Sequence, residues 1–169
     1  MIRIFLIASL IISNFTSAEY TNSNGKALEK PFKDLIKWVR SDVEPKLAQI
    51  DVSSEWQTIN LNEADNYIIW IGHSTFLIKK EGITILTDPV FSDRASPFKN
   101  VGPERLIPPA MSIDQLPKID FVTVSHNHYD HLDINSLKEI SKLYSEAIFF
   151  VPIGDGKLLK RKRIKNVYE

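Results

Sequence analysis

The feature that most restricts the fold of this chain is the histidine cluster of residues 126–131, His-Asn-His-Tyr-Asp-His. The cluster directly follows the apolar segment 119–125, whose composition is typical of a buried β-strand. Three imidazoles and one carboxylate on a loop that leaves a strand form a zinc-binding set, because zinc prefers imidazole nitrogen and carboxylate oxygen. The predicted metal ligands are His126, His128, Asp130 and His131.

Composition narrows the possible partners and chemistry. The 169 residues are 43% hydrophobic, which is enough for one domain with a core of its own. Basic and acidic residues number 21 each, so no overall positive field indicates a nucleic-acid partner. The sequence has no cysteine, which excludes disulfides, thiolate zinc ligands and cysteine nucleophiles.

The N-terminus is typical of a targeting segment. Residues 1–18 have a positive start, an apolar stretch at 4–12 and small residues where a signal peptidase would cleave. We therefore expect a signal peptide and export to a periplasmic or extracellular space. The alternative is that residues 4–12 remain as a membrane anchor. Residues 19–58 are expected to form a flexible leader with a short amphipathic helix that begins near Pro31.

From residue 59 onwards, the hydrophobic pattern predicts an α/β domain. Three short apolar runs joined by turn residues predict an antiparallel meander, and Asp133 is a predicted helix N-cap. The proline-rich residues 91–118 predict a long ordered loop beside the metal site. The predicted strands are 67–71, 74–78, 83–87, 119–125 and 147–151, and the predicted helices are 134–144 and 157–165.

Four segments together resemble a known family. They are residues 70–75 (Trp-Ile-Gly-His-Ser-Thr), 87–97, 102–105 (Gly-Pro-Glu-Arg) and 125–133. In this order they resemble the zinc-dependent hydrolases of the metallo-β-lactamase fold, in the branch that includes N-acylphosphatidylethanolamine-hydrolysing phospholipase D. The resemblance implies an α+β sandwich of four layers, αββα, of which residues 59–169 would be the N-terminal half.

The resemblance also implies roles for the site residues. His126 and His128 would bind a first zinc ion, and Asp130 and His131 a second, with Asp130 also taking part in catalysis. Asp88, at a strand end, would support the metal loop without binding metal. His73 would either support the loop in the same way or be a structural histidine in a tight turn.

The implied activity is that of a phosphodiesterase of phospholipase D type, acting on N-acylphosphatidylethanolamine-like substrates. Arg94 and Arg105 are candidates for binding a substrate phosphate, because arginine recognises it in a bidentate manner. The alternative is that they tie the long loop to an internal acid. The basic residues 157–165 would either contact anionic lipid headgroups or form an ordinary solvated helix face.

One departure from the family affects the expected activity. The second half of the family fold supplies a further histidine to each zinc and a bridging aspartate, yet no histidine follows His131. We therefore expect a fragment, a truncated product or a degenerate remnant that binds zinc weakly and hydrolyses phosphodiesters poorly or not at all. Two alternatives stay open at this point. One is a small-ester or lactone hydrolase of the same fold, and the other is a non-catalytic remnant or binding module.

Overall fold

The computed structural model describes residues 33, 34, 36, 37, 54–98, 100 and 102–169. The chain divides into two compact units, Met1–Gln49 and Ile50–Glu169. In the first unit the four described residues are helical, and they lie inside the predicted amphipathic helix. The predicted signal peptide lies outside the described residues. Among the described residues, no helix is both long and apolar enough to cross a membrane.

The second unit contains one sheet with its helices. It begins with the 3-10 helix Glu55–Thr58, whose Trp56 packs against the core. The strands are β1 (Tyr67–Gly72), β2 (Thr75–Lys80), β3 (Ile83–Thr87), β4 (Phe121–Thr123), β5 (Ile148–Phe150) and β6 (Val167–Tyr168). The α-helices are α1 (Ile134–Leu143) and α2 (Gly156–Arg161), and a second 3-10 helix spans Ile113–Gln115.

The strands lie in the sheet in their chain order. β1, β2 and β3 form an antiparallel meander, and β3, β4, β5 and β6 are parallel to one another. Consequently the carboxyl ends of all strands except β2 lie at the same edge, together with the β1–β2 turn. Parallel strands need crossover connections, which α1 and α2 provide after β4 and β5. This edge is where an open α/β sheet usually carries its functional site.

A single row of apolar side chains crosses the sheet and forms the centre of the core. In this row each residue is paired in register with the next, and all six are buried. Leu137 and Ile140 of α1 and Leu159 of α2 cover the row, and all three are fully buried. The row consists of Ile69, Leu77, Leu86, Val122, Phe149 and Val167.

The neighbouring row points to the opposite face of the sheet, as the two-residue period of a strand requires. This face is apolar and much more exposed: Ile68 is 71% exposed and Tyr168 is 57% exposed. Phe150 lies with its ring centroid 5.8 Å from that of Phe121 and 6.1 Å from that of Tyr168. The described residues thus form one sheet and one helical layer of the four layers expected.

Most predicted elements are present, with differences at their ends. The strand expected at 119–125 is shorter and spans Phe121–Thr123. Asp120, just before it, donates its backbone N–H to the carbonyl of Thr84 and accepts through its carboxylate from the N–H of Thr84. The helix expected at 157–165 ends at Arg161, because Arg163 takes a positive φ of 66° and Ile164 turns into the core. Strand β6 and both 3-10 helices were not predicted. The predicted start of the α/β domain at residue 59 stays a prediction.

Replacing Leu137 with alanine tests the described core. Leu137 has 0% exposure, whereas Leu143 of the same helix has 51% exposure. We expect Leu137→Ala to lower the free energy of unfolding by about 2–5 kcal/mol, through lost burial and the remaining cavity. Leu143→Ala is the matched control and should change it by less than about 1 kcal/mol. Urea unfolding followed by circular dichroism measures both, and equal effects would contradict this packing.

Candidate metal centre

The predicted metal ligands lie at the carboxyl edge of the sheet, on the loop between β4 and α1. The loop turns tightly, since the backbone N–H groups of His131 and Leu132 both donate to the carbonyl of His128. It ends at Asp133, whose carboxylate accepts from the N–H of Asn135 and caps α1 as predicted. Two rigid elements therefore hold the loop, one at each end.

Asp88 is the main side-chain anchor of the loop. It directly follows β3, has a φ of 38° and is buried. Its carboxylate accepts hydrogen bonds from the backbone N–H of Ser125 (2.7 Å) and from the Ser125 hydroxyl (2.8 Å). It also accepts one from Nδ1 of His131, at 2.9 Å. Asp88 thus joins the ends of β3 and β4, in the position that was predicted for a supporting acid.

These hydrogen bonds determine which nitrogen of two histidines is available to a metal. An ionised carboxylate can only accept, so Nδ1 of His131 carries the proton and its Nε2 has a free lone pair. The Ser125 hydroxyl donates its only proton to Asp88, so at 2.9 Å from Nδ1 of His126 it acts as the acceptor. His126 therefore also carries its proton on Nδ1, which leaves Nε2 free. Such fixed tautomers are typical of metal-binding histidines.

The three imidazoles of the loop lie close together. The ring centroid of His126 is 4.6 Å from that of His128 and 3.9 Å from that of His131. Burial lowers the pKa of His126 below its ordinary value, and the neighbouring imidazoles of His131 and His128 lower it further. His126 consequently stays neutral further into the acidic range, and neutral imidazole is the form that binds a metal.

Asp130 and His73 face each other across the edge of the site. Nε2 of His73 lies 3.2 Å from Oδ2 of Asp130, and Nε2 of His131 lies 3.7 Å from the same oxygen. Potential ligand atoms of all three residues lie within 4.8 Å of one another. Among the described residues, no other group of three histidine or carboxylate side chains has its potential ligand atoms this close together. His73 therefore lies in the tight β1–β2 turn and also beside potential ligand atoms, and its role stays a prediction.

Two further contacts hold the loop against its surroundings. The amide nitrogen of Asn127 donates to the carboxylate of Asp155 at 2.9 Å, which ties the loop to the start of α2. Burial raises the pKa of Asp155, and nearby Glu169 raises it as well, although the hydrogen bond from Asn127 lowers it. The Ser74 hydroxyl donates to the carbonyl of Asp130, with a separation of 3.4 Å. The β1–β2 turn and α2 thus hold the loop from two directions.

The two arginines proposed for substrate have internal partners. Arg94 donates to the carbonyl of Gly102 and to the carboxylate of Glu104, both at 2.8 Å. Arg105 donates to the backbone carbonyls of Val90 and Ser92. Burial lowers the pKa of Arg105, and Asp133 and Asp93 oppose that shift. Both guanidinium groups therefore brace the long loop, Arg94 through the exposed Glu104 and Arg105 through backbone carbonyls, so a tie to an internal acid stays a prediction. Phosphate recognition by either residue stays a prediction.

A family profile of the beta-lactamase superfamily domain matches residues 67–169. The chain belongs to this superfamily. The histidine loop and all six strands lie inside the matched part. Fold class and family, as predicted from the residues, are therefore confirmed.

Two named relatives are similar to more than half of the chain. The N-acyl-phosphatidylethanolamine-hydrolyzing phospholipase D 1 of Caenorhabditis elegans is 44% identical over 103 residues, 61% of this chain and 29% of the relative. The mitochondrial N-acyl-phosphatidylethanolamine-hydrolyzing phospholipase D of Saccharomyces cerevisiae is 39% identical over 103 residues, 61% of this chain and 22% of the relative. The chain thus spans less than a third of either relative.

One solved structure with a similar backbone is the isothiocyanate hydrolase from Delia radicum gut bacteria. It has a TM-score of 0.49 and 19% sequence identity, and the alignment covers 60% of this chain and 40% of that chain.

Sequence reasoning missed several residues that support the site. Ser125, Ser74, Asn127 and Asp155 were not singled out, although each makes a hydrogen bond to the metal loop or within it. Ser125 had a usable signal, because a hydroxyl next to His126 is a possible partner for its imidazole. Asp155 had none, since 28 positions separate it from Asn127 and only the crossover through α1 and β5 brings them together.

Asp88→Asn tests how the tautomers are set. An asparagine side chain would present an NH2 group where a carboxylate oxygen now accepts from Ser125 or His131, so donor would face donor. His131 would then favour the other tautomer, with the proton on Nε2. We expect zinc affinity to fall about 10–100-fold, the usual effect of losing such a supporting group. Titration against a competing chelator measures this, with the exposed Asp114→Asn as the matched control; equal affinities would contradict the proposed role.

Arg105→Lys tests the bracing role of the long loop. Lysine cannot reproduce the planar fork that contacts the carbonyls of Val90 and Ser92. We expect the free energy of unfolding to fall by about 1–3 kcal/mol, as buried carbonyls lose their donors. Arg161→Lys, at an exposed position of α2, is the control and should be neutral. An unchanged melting temperature together with lost substrate binding would instead favour the substrate role.

Proposed function

We propose that this protein is a zinc-dependent phosphodiesterase of the phospholipase D type, acting on N-acylphosphatidylethanolamine-like substrates. The observation that carries the metal dependence is the hydrogen-bond chain from Asp88 through Ser125 to His126, and from Asp88 to His131. These hydrogen bonds fix two imidazoles with free Nε2 atoms, and Nε2 of His131 lies 3.7 Å from the half-exposed carboxylate of Asp130. The substrate class is supported by the relatives named N-acyl-phosphatidylethanolamine-hydrolyzing phospholipase D.

Each residue has a part in this proposal. His126, His128, Asp130 and His131 would hold zinc, whose chemistry is to make a bound water acidic and to polarise phosphoryl oxygen. Asp88 and Ser125 hold the imidazoles in the metal-binding tautomer, and Asn127 holds the loop against α2. Asp130, with a half-exposed carboxylate, is the group that orients an attacking water on the solvent side of the site.

The proposal extends to location. Export by residues 1–18 would place the protein where it meets membrane lipid. The six basic residues between positions 157 and 165 are all exposed, and no ion pair forms at these positions in the described residues. Their charge suits contact with anionic headgroups, each worth about 1 kcal/mol at a lipid surface.

The decisive experiment measures which bond is cleaved. The purified chain is incubated with N-acylphosphatidylethanolamine in mixed micelles and 18O-labelled water, with zinc or with a chelator. Mass spectrometry then follows phosphatidic acid and N-acylethanolamine. We expect slow, zinc-dependent release of both, with the label in phosphatidic acid because water attacks phosphorus. The chelator should abolish this release.

Matched variants and substrates sharpen the test. Asp130→Asn should remove the activity, whereas Glu146→Gln, a change of the same kind at an exposed position outside the site, should keep it. Turnover of a lactone or of p-nitrophenyl acetate without phosphodiester cleavage would replace the proposal with an ester hydrolase. Zinc binding without turnover of either class would indicate a binding module.

A further inference from the structure

The turn between β1 and β2 lies at the same sheet edge as the histidine loop and is joined to it. His73, the first residue of this turn, has a φ of 52°, a conformation that non-glycine residues adopt at a cost. The indole N–H of Trp70 donates to the His73 carbonyl at 2.8 Å. The next residue, Ser74, contacts the carbonyl of Asp130 and lies 3.2 Å from Nδ1 of His131.

The backbone of this turn does not explain why the residue is histidine. Glycine adopts a positive φ at the least cost, and asparagine, aspartate and histidine are all enriched there among the other residues, so the turn alone does not select histidine. A histidine held in this conformation by Trp70 places an imidazole against the metal loop. The side chain of His73 is half exposed and faces Asp130, which is half exposed as well. The contact with Asp130 therefore gives this side chain a role at the site that the turn conformation alone does not supply.

The distances fit a shared cation as well as a hydrogen bond. Charge-assisted N–H···O bonds are typically about 2.7–2.9 Å long, and the contact between Asp88 and His131 has that length. The separations of 3.2 Å from His73 to Asp130 and 3.7 Å from His131 to Asp130 are longer. Two ligand atoms of a tetrahedral zinc lie about 3.3 Å apart, since Zn–N distances are about 2.0 Å. The separation from His73 to Asp130 is close to that spacing and the one from His131 to Asp130 is wider, while the ligand atoms of all three residues lie within 4.8 Å of one another.

We propose that His73 is a direct metal ligand, so that His73, Asp130 and His131 form a three-residue zinc site with a fourth position for water. Two histidines and a carboxylate are an established donor set for catalytic zinc. His73 was expected only to support the loop or to be structural, with Asp130 and His131 as the two ligands of the second zinc ion from this chain. The inference rests on the zinc dependence proposed above, but it does not depend on the substrate.

The experiment compares zinc binding by the purified chain and two variants. His73→Asn removes the imidazole while asparagine tolerates the positive φ. Glu81→Asn is a matched control, because Glu81 also has a positive φ, of 51°, but lies in the β2–β3 turn at the opposite edge of the sheet. We expect His73→Asn to weaken binding of the first zinc equivalent by more than about tenfold, the least that loss of a ligand should cost. Glu81→Asn should bind like the unaltered chain.

Two spectroscopic readouts need no enzymatic activity. With Co2+ in place of zinc, His73→Asn should change the position and intensity of the visible absorption bands, because one nitrogen donor is lost. In the unaltered chain, 1H–15N spectra of the imidazoles should show His73 and His131 shifting with the first zinc equivalent. This second measurement does not require that the variant folds, and circular dichroism checks that it does.

The outcomes separate this inference from the proposed function. Unchanged zinc affinity and Co2+ spectra in His73→Asn would overturn the ligand role, even if zinc-dependent phosphodiester cleavage persisted. Imidazole shifts confined to His126 and His128 would overturn it as well. Loss of binding in His73→Asn supports the inference whatever substrate is cleaved. An unaltered chain that binds no zinc would contradict both.

Discussion

The structure of the site depends above all on one buried carboxylate. Asp88 leaves β3 with a positive φ, and its backbone joins two neighbouring strands: its N–H donates to the carbonyl of Thr123 in β4, and its carbonyl accepts from the hydroxyl of Thr75 in β2. Its side chain then accepts from Ser125 and His131. A buried carboxylate without such donors would be costly, so the contacts are needed by the fold as well as by the site. Stability and tautomer selection therefore depend on the same group.

The sheet explains why these groups meet. Because β3, β4 and β5 are parallel, their carboxyl ends bring Asp88, the histidine loop and the segment before α2 to one edge. The antiparallel β1–β2 hairpin contributes only its turn to that edge, and this turn carries His73 and Ser74. The row of six buried side chains from Ile69 to Val167 fixes the alignment of the strands. A shift of one strand by one residue would move its buried side chains to the exposed face of the sheet. The core thus sets the positions of the ligands.

Much of this was predictable from local sequence. The strands of the meander, the cap at Asp133 and the loop position of the ligands follow from alternation, turn residues and spacing within a few positions. β6 was not predictable, because Val167–Tyr168 is too short to show a period. The contacts of His73 with Asp130 and of Asn127 with Asp155 were not predictable either, since they arise from strand order and not from neighbouring residues. The supporting role of Asp88 came from family resemblance, and only the structure shows how hydrogen bonds produce it.

The contact between the hairpin turn and the histidine loop has a consequence for unfolding. His73 and Asp130 are 57 positions apart, and bringing two such points together in an unfolded chain costs about 4 kcal/mol of entropy. The sheet has already closed this loop, so an ion bound to both residues would act as a reversible cross-link in a chain without cysteine. Denaturation would separate His73 from the site while the three loop histidines stay within six residues of one another. The melting temperature would then rise with the concentration of free zinc. In a disulfide-bonded protein, stability depends on the redox potential in a comparable way.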